Sequence, residues 1–150
     1  MTDVAPTLLE ERGIRLAQTA RDRDDAIRQC GQTLVDIAAV DPAYVEAMLE
    51  RERSISTYVG EGVAIPHATL SGKAAVRRDA LAVLRFPDGV DWDGVPVHVC
   101  VAIAAVGDGH VEILGALAQI LLDPGQAEQL RQATRAEQVI SLLAPVGSAQ

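Results

Sequence analysis

Apolar positions recur along this chain at two different periods, and the change of period marks its elements. Ile14-Arg15-Leu16 predicts a short strand near the start. Behind Asp22, a residue suited to cap a first helical turn, Ile27, Cys30, Leu34, Val35 and Ala38 repeat at helical spacing. Asp41-Pro42 predicts a second helix start, with Asp as cap and Pro at the first helical position. Tyr44, Val45, Met48 and Leu49 then share one face, ahead of the charged run Glu50-Arg51-Glu52-Arg53.

The middle of the chain loses the helical period. Gly62-Val63-Ala64-Ile65 reads as a strand stopped at Pro66, whose nitrogen cannot donate to a ladder. Ala80 to Phe86 and Val95 to Ile103 are near-continuous apolar runs, the pattern of strands covered on both faces. Pro87 to Gly94 predicts a turn-rich connection between them. Helical spacing returns with Val111, Leu114, Leu117, Ala118 and Leu121. Asp123-Pro124 restarts a helix, and Thr134-Arg135-Ala136-Glu137 fits a capping box ahead of Val139, Ile140 and Leu143. The first few residues and Ala144 to Gln150 read as loose ends. Helices, then strands, then helices argue for an α/β fold with helices covering a sheet.

Composition narrows the function. A length of 150 residues fits a single domain, and 49% hydrophobic residues suffice for a core. The 13 basic and 21 acidic residues give a net charge of −8, which argues against a nucleic-acid partner. Aromatics at 3% leave little for stacking on bases or sugars. The longest uncharged stretch, Gly94 to Gly107, is broken by Pro96 and His98 and is too short to span a bilayer. The start Met1-Thr2-Asp3-Val4-Ala5-Pro6 has neither a basic segment nor an apolar one, so no signal peptide and a cytoplasmic location are expected. Cys30 and Cys100 lie in apolar contexts and read as buried free thiols rather than a disulfide.

Two of the three histidines sit where chemistry is commonly presented. His67 follows Pro66 directly after a strand. His110 follows Gly107-Asp108-Gly109 and opens an amphipathic helix, whose first amides and dipole favour an anion. Arg51 and Arg53 precede His67, with Gly60 and Gly62 between, a spacing that lets an arginine fold back over it. A neutral imidazole is a nucleophile near neutral pH, and a nearby arginine and donor would let it accept a phosphoryl group. On spacing alone, surface histidines with ordinary hydrogen bonds remain the simpler account. His98 alternates with valines, shares the predicted face of Cys100, and reads as a core histidine. A zinc set of His67, His98, His110 and Cys100 matches by ligand type, but no pair has motif spacing, so no metal and no cofactor are expected. Trp92 reads as a loop anchor, and Glu112 as an exposed helical residue or a partner that orients His110.

Several blocks together resemble a known family. They are Leu49-Glu50-Arg51-Glu52, Thr57-Tyr58-Val59-Gly60, Gly62 to His67, Lys73, Leu84-Arg85-Phe86-Pro87-Asp88-Gly89-Val90, Trp92, Ile103-Ala104-Ala105 and His110-Val111-Glu112-Ile113-Leu114. This pattern resembles the enzyme IIA domain of the bacterial phosphotransferase system, mannitol/fructose type, from about Leu8 to Leu143. The short connection between Ala105 and His110 is closer to the mannitol branch. The resemblance implies a mixed β-sheet flanked by helices on both sides, in one domain over residues 1–150 with an ordered core of about 8–143. It implies that His67 accepts a phosphoryl group from the phosphocarrier HPr. The group then passes to a cysteine of enzyme IIB, on a separate chain or in a membrane permease. By the same resemblance His110 hydrogen-bonds the phosphoryl group and Arg51 compensates its charge, while Arg53 has the wrong offset. Ala68 and Gly109 depart from the family pattern, which often has Gly after the first histidine and Glu before the second. The alternative is a regulatory IIA-like module whose phosphorylation state controls a partner protein.

Overall fold

The computed structural model describes residues 8–106 and 109–147; the side chains at 70, 71, 73, 109–111, 145 and 147 lie outside that description. Among the described residues five strands make one sheet: β1 (Leu9–Arg15), β2 (Tyr58–Gly60), β3 (Val63–Ala64), β4 (Ala80–Trp92) and β5 (Val95–Ala104). Around it the same residues form the α-helices α1 (Arg23–Asp36), α2 (Ala43–Ser54), α3 (Gly109–Leu121), α4 (Pro124–Arg131) and α5 (Ala136–Gly147), with a 3-10 helix at Leu70–Ala75. The strand order is β1-β4-β5-β3-β2. β1 runs parallel to β4 and β3 parallel to β5, whereas β4–β5 and β2–β3 are antiparallel, so the sheet is mixed as expected.

Alternation along the central strands builds two cores. Ala82, Leu84, Cys100 and Ala102 face α1 and α2, where Ile27, Leu34 and Met48 are buried. Leu81, Val83, Val99 and Val101 face the other side, against Leu117, Leu130 and Val139 from α3, α4 and α5. Helices on both faces are the reason these strands read as unbroken apolar runs.

Several local expectations need correction. The first strand begins at Leu9 and includes Ile14 and Arg15 but not Leu16, because its ladder to β4 starts at the Leu9–Leu81 pair. The expected turn from Pro87 to Gly94 is mostly strand. β4 runs on to Trp92, and only Asp93 and Gly94 turn, both at positive φ as a two-residue hairpin loop requires. Pro87 is tolerated because the ladder jumps from Arg85–Val99 to Val90–Val97, leaving Phe86 to Gly89 against His98 alone. Asp41 does not cap α2; its carboxylate takes Arg77 at 2.7 Å, and the helix starts after Pro42 without a side-chain cap.

Ala38 is not on the α1 stripe but ends that helix in the left-handed region at φ 62°. The amides of Ala38 and Ala39 return there to the carbonyls of Val35 and Leu34. The capping box of α5 is shifted by one residue: Gln138 reaches back to the amides of Thr134 and Arg135, while Glu137 pairs with Arg135. The tail expected to be loose from Ala144 is helical through Gly147, with Val146 buried. Caps at Asp22 and Asp123 form as read, on the Asp25 and Gly125 amides.

Candidate functional site

The site is assembled at the end of β3, where the chain passes Ile65 and Pro66 to reach His67. Pro66 ends the strand, but its carbonyl still accepts the Ile103 amide of β5 at 2.9 Å, so the segment stays on the sheet. On the other side the Ile65 amide donates to the Thr57 carbonyl at 3.0 Å. His67 is half-buried, and its Nδ1 lies 2.9 Å from the Ile65 carbonyl. A carbonyl can only accept, so Nδ1 carries the proton and the lone pair of the neutral ring resides on Nε2.

The loop beyond His67 is held from α2. Tyr44 donates its hydroxyl to the Ile103 carbonyl at 2.7 Å and accepts the Ala68 amide at 3.4 Å. Burial pushes the Tyr44 phenol up to about 12, against a smaller opposing pull from the Ala68 amide. The Thr69 amide reaches the Ala47 carbonyl, and the Thr69 hydroxyl reaches Glu50. Ala68 keeps a negative φ, so the alanine imposes no backbone strain beside the histidine.

Arg51 lies half-buried in the last turn of α2, and its guanidinium donates to the Ile55 carbonyl. Arg51 and His67 are therefore tied to one short segment, Arg51 at Ile55 and His67, through Ile65, at Thr57. Arg53 points elsewhere: it is exposed and lines an open groove with Asp41, Glu46 and Glu50, between α2 and the 3-10 helix. His110 belongs to the first turn of α3, a few residues beyond the strand that holds Pro66; its side chain lies outside the described residues, as do Gly107 and Asp108. The Val106 amide before them is fixed by Asp79 at 2.7 Å.

Three groups in this region were given no part in the site from sequence. Glu52, 3% exposed, accepts the amide and hydroxyl of Thr57 and the indole N–H of Trp92. Tyr44 read only as an apolar position, and Trp92 as a loop anchor, although it ends β4 and is fully buried. A signal for Glu52 existed: Val45, Met48, Leu49 and Glu52 share helical spacing, which places a carboxylate on the inward face of α2.

The other heteroatom candidates do not join the site. His98 packs on Gly89 and, with the Arg131 side chain, against Gly62 at the opposite end of β3 from His67. Its amide and that of Val99 both turn to the Gly62 carbonyl, a bulge that removes His98 from the face of Cys100. Cys30 and Cys100 are buried free thiols. Burial pushes the Cys100 thiol well up, reinforced by its hydrogen bond to Cys30 and by Glu52 nearby, which disfavours a thiolate there. Among the described residues no group of three metal-ligating side chains comes together, and no helix is long and apolar enough to cross a membrane.

Comparison with known proteins gives one consistent result. Residues 7–145 match the family model described as phosphoenolpyruvate-dependent sugar phosphotransferase system, EIIA 2. A mannitol-specific phosphotransferase enzyme IIA component of Staphylococcus aureus strain MRSA252 is 38% identical over 132 residues, covering 88% of this chain and 92% of that protein. A multiphosphoryl transfer protein of Xanthomonas campestris pv. campestris is 44% identical over 118 residues, 78% of this chain; the match spans only 14% of that relative's length. Among solved structures, the complex of enzyme IIAMTL and phosphorylated enzyme IIBMTL from Escherichia coli contains a similar chain. The TM-score is 0.84 at 32% identity, over 92% of this chain and 99% of that one.

Proposed function

The chain belongs to the phosphoenolpyruvate-dependent sugar phosphotransferase system EIIA 2 family, and from that premise we propose that it carries a phosphoryl group on His67 between phospho-HPr and a cysteine of a cognate enzyme IIB, in mannitol-type uptake. Membership makes it a phosphotransferase component. The observation that carries the assignment to His67 is the 2.9 Å bond from its Nδ1 to the Ile65 carbonyl. That bond turns Nε2 into the nucleophile. Nε2 attacks phosphorus as the nitrogen–phosphorus bond of phospho-HPr breaks, and the phosphoryl group later leaves for the partner's sulfur, returning the electron pair to Nε2.

The phosphoryl group adds about −1.5 to −2 charges to a chain already at −8. Arg51 offsets that charge and its fork grips two oxygens at once. His110, in the first turn of α3, donates a further hydrogen bond to the group as it leaves. Its partners in this reading are HPr and IIB, in the cytoplasm.

Incubation with phosphoenolpyruvate, enzyme I and HPr, followed by intact mass, tests this. The wild type gains one phosphoryl group, acid-labile and alkali-stable as a phosphoramidate is, and His67→Ala gains none; stoichiometric labelling of that variant overturns the assignment. Arg51→Lys transfers more slowly than wild type and faster than Arg51→Ala, while Arg53→Ala changes little. His110→Ala still accepts the group and passes it on about a hundred- to thousandfold more slowly, the usual effect of losing one such donor. Single-turnover transfer in both directions reads each of these outcomes.

A further inference from the structure

Glu52 is the only acidic side chain among the buried described residues, and no arginine or lysine meets it there. A carboxylate removed from water without a cation is expensive, and a hydrophobic side chain of its size would pack the same space at less cost. Its three donors show what it holds. The Thr57 amide lies 3.0 Å from Oε2 and the Trp92 indole N–H 2.9 Å from the same oxygen, while the Thr57 hydroxyl takes Oε1.

Thr57 lies between the two groups assigned to the phosphoryl. Two residues before it, the Ile55 carbonyl receives the Arg51 guanidinium. Its own carbonyl receives the Ile65 amide, and the Ile65 carbonyl receives Nδ1 of His67. Trp92, fully buried at the end of β4, supplies a fixed point in the core. From α2 to the sheet, the path Trp92–Glu52–Thr57 sets the segment from which both Arg51 and His67 hang.

We propose that Glu52 is a positioning residue for phosphoryl transfer, holding the Ile55–Thr57 segment so that Arg51 and the Nδ1–H tautomer of His67 are set together. The inference rests on the reading that His67 accepts the group and Arg51 compensates its charge. Glu52→Gln keeps the shape but replaces one acceptor oxygen by a donor, so the three bonds cannot all persist as they stand: either the Thr57 hydroxyl reverses to accept from the new amide, or the Thr57 amide and the Trp92 indole N–H lose their acceptor.

The test is single-turnover phosphorylation by phospho-HPr across wild type, Glu52→Gln, Arg51→Ala, the double variant and His67→Ala. Glu52→Gln is expected to slow the transfer step about ten- to hundredfold, the scale of small misplacements at a reacting centre, with half-saturation by phospho-HPr little changed. The double variant loses less than the product of the two single losses, because part of the Glu52 effect acts through Arg51. Nitrogen-15 spectra of His67 should move in Glu52→Gln from the Nδ1–H tautomer towards a mixture, and the single Trp indole N–H resonance should shift with it. A purely structural role leaves the tautomer where it is. A folded Glu52→Gln with wild-type transfer and an unchanged His67 tautomer overturns the proposal. If Glu52→Gln does not fold, Thr57→Val, which removes only the hydroxyl donor, decides: slowed transfer supports the proposal and wild-type transfer overturns it. Wild-type transfer by Arg51→Ala or labelling of His67→Ala defeats the underlying reading instead, and this inference with it.

Discussion

Tyr44 holds the loop after His67 with a hydroxyl that belongs to a residue only 4% exposed, and that burial ties local order to pH. Its phenol is raised to about 12 in the folded chain against an ordinary value near 10. The contribution is complete below pH 10, where neither state ionises. Between about pH 10 and 12 the unfolded chain releases its proton first, so stability falls by roughly 2–3 kcal/mol and then levels off. Urea midpoints followed from pH 9 to 12 should show that decline, and Tyr44→Phe should remove this component of it. At neutral pH the same variant should lose about 1–3 kcal/mol, because the Ile103 carbonyl and the Ala68 amide lose a buried partner. At this scale the sequence singled out His67 and Arg51 as candidates, since a histidine after Ile-Pro and an arginine at a helix end are local patterns. The partners of Tyr44 and Glu52 were illegible because Ile103 and Trp92 are distant in the chain and are brought near only by the sheet.

Elements were readable where one face is apolar and less so where an end is set by backbone geometry. The stripe of α1 was plain, but Ala38 continued the pattern while the backbone had already turned into the left-handed region. An L-residue there carries strain that glycine does not, so Ala38→Gly should raise stability by up to about 1 kcal/mol, seen as a higher urea midpoint at unchanged m-value. Gly31 sets the opposite constraint within α1. A Cβ built there would lie 2.7 Å from the Val45 Cγ2 and 3.3 Å from the Met48 sulfur, so Gly31→Ala forces α2 away from α1. Overpacking of that kind costs about 1–3 kcal/mol, more than the better helix propensity of alanine returns. Because α2 carries Arg51, Tyr44 and Glu52, calorimetry should show a lower melting temperature for Gly31→Ala, and phospho-HPr should label it more slowly. Proline and glycine misled at Pro87 to Gly94, where turn composition sits inside β4 because a bulge absorbs it. Asp41 misled for another reason, since a long-range arginine claimed the carboxylate that a cap would have used.

Across the whole molecule, one sheet divides two cores yet lends every central strand to both. Neither core can persist once β4 and β5 separate. Trp92 fluorescence, which reports the side of α1 and α2, and far-UV circular dichroism, which reports helices α1 to α5 together, should therefore give coincident unfolding curves. The α/β class with helices on two sides was legible from the ordering of periods and from the unbroken apolar runs. The strand order was not, because pairing between distant strands leaves no periodic mark. The buried thiol pair has a practical consequence for mixtures. Cys30 and Cys100 are 0% exposed and lie on α1 and β5, so an alkylating reagent reaches them only when the sheet and its helix cover part. The native chain should stay unmodified while a partner with an accessible cysteine is alkylated to completion, so that reagent can silence the partner selectively. Longer exposure should bring the uptake of both adducts on each chain together, and its rate becomes a clock for the rare opening of the molecule.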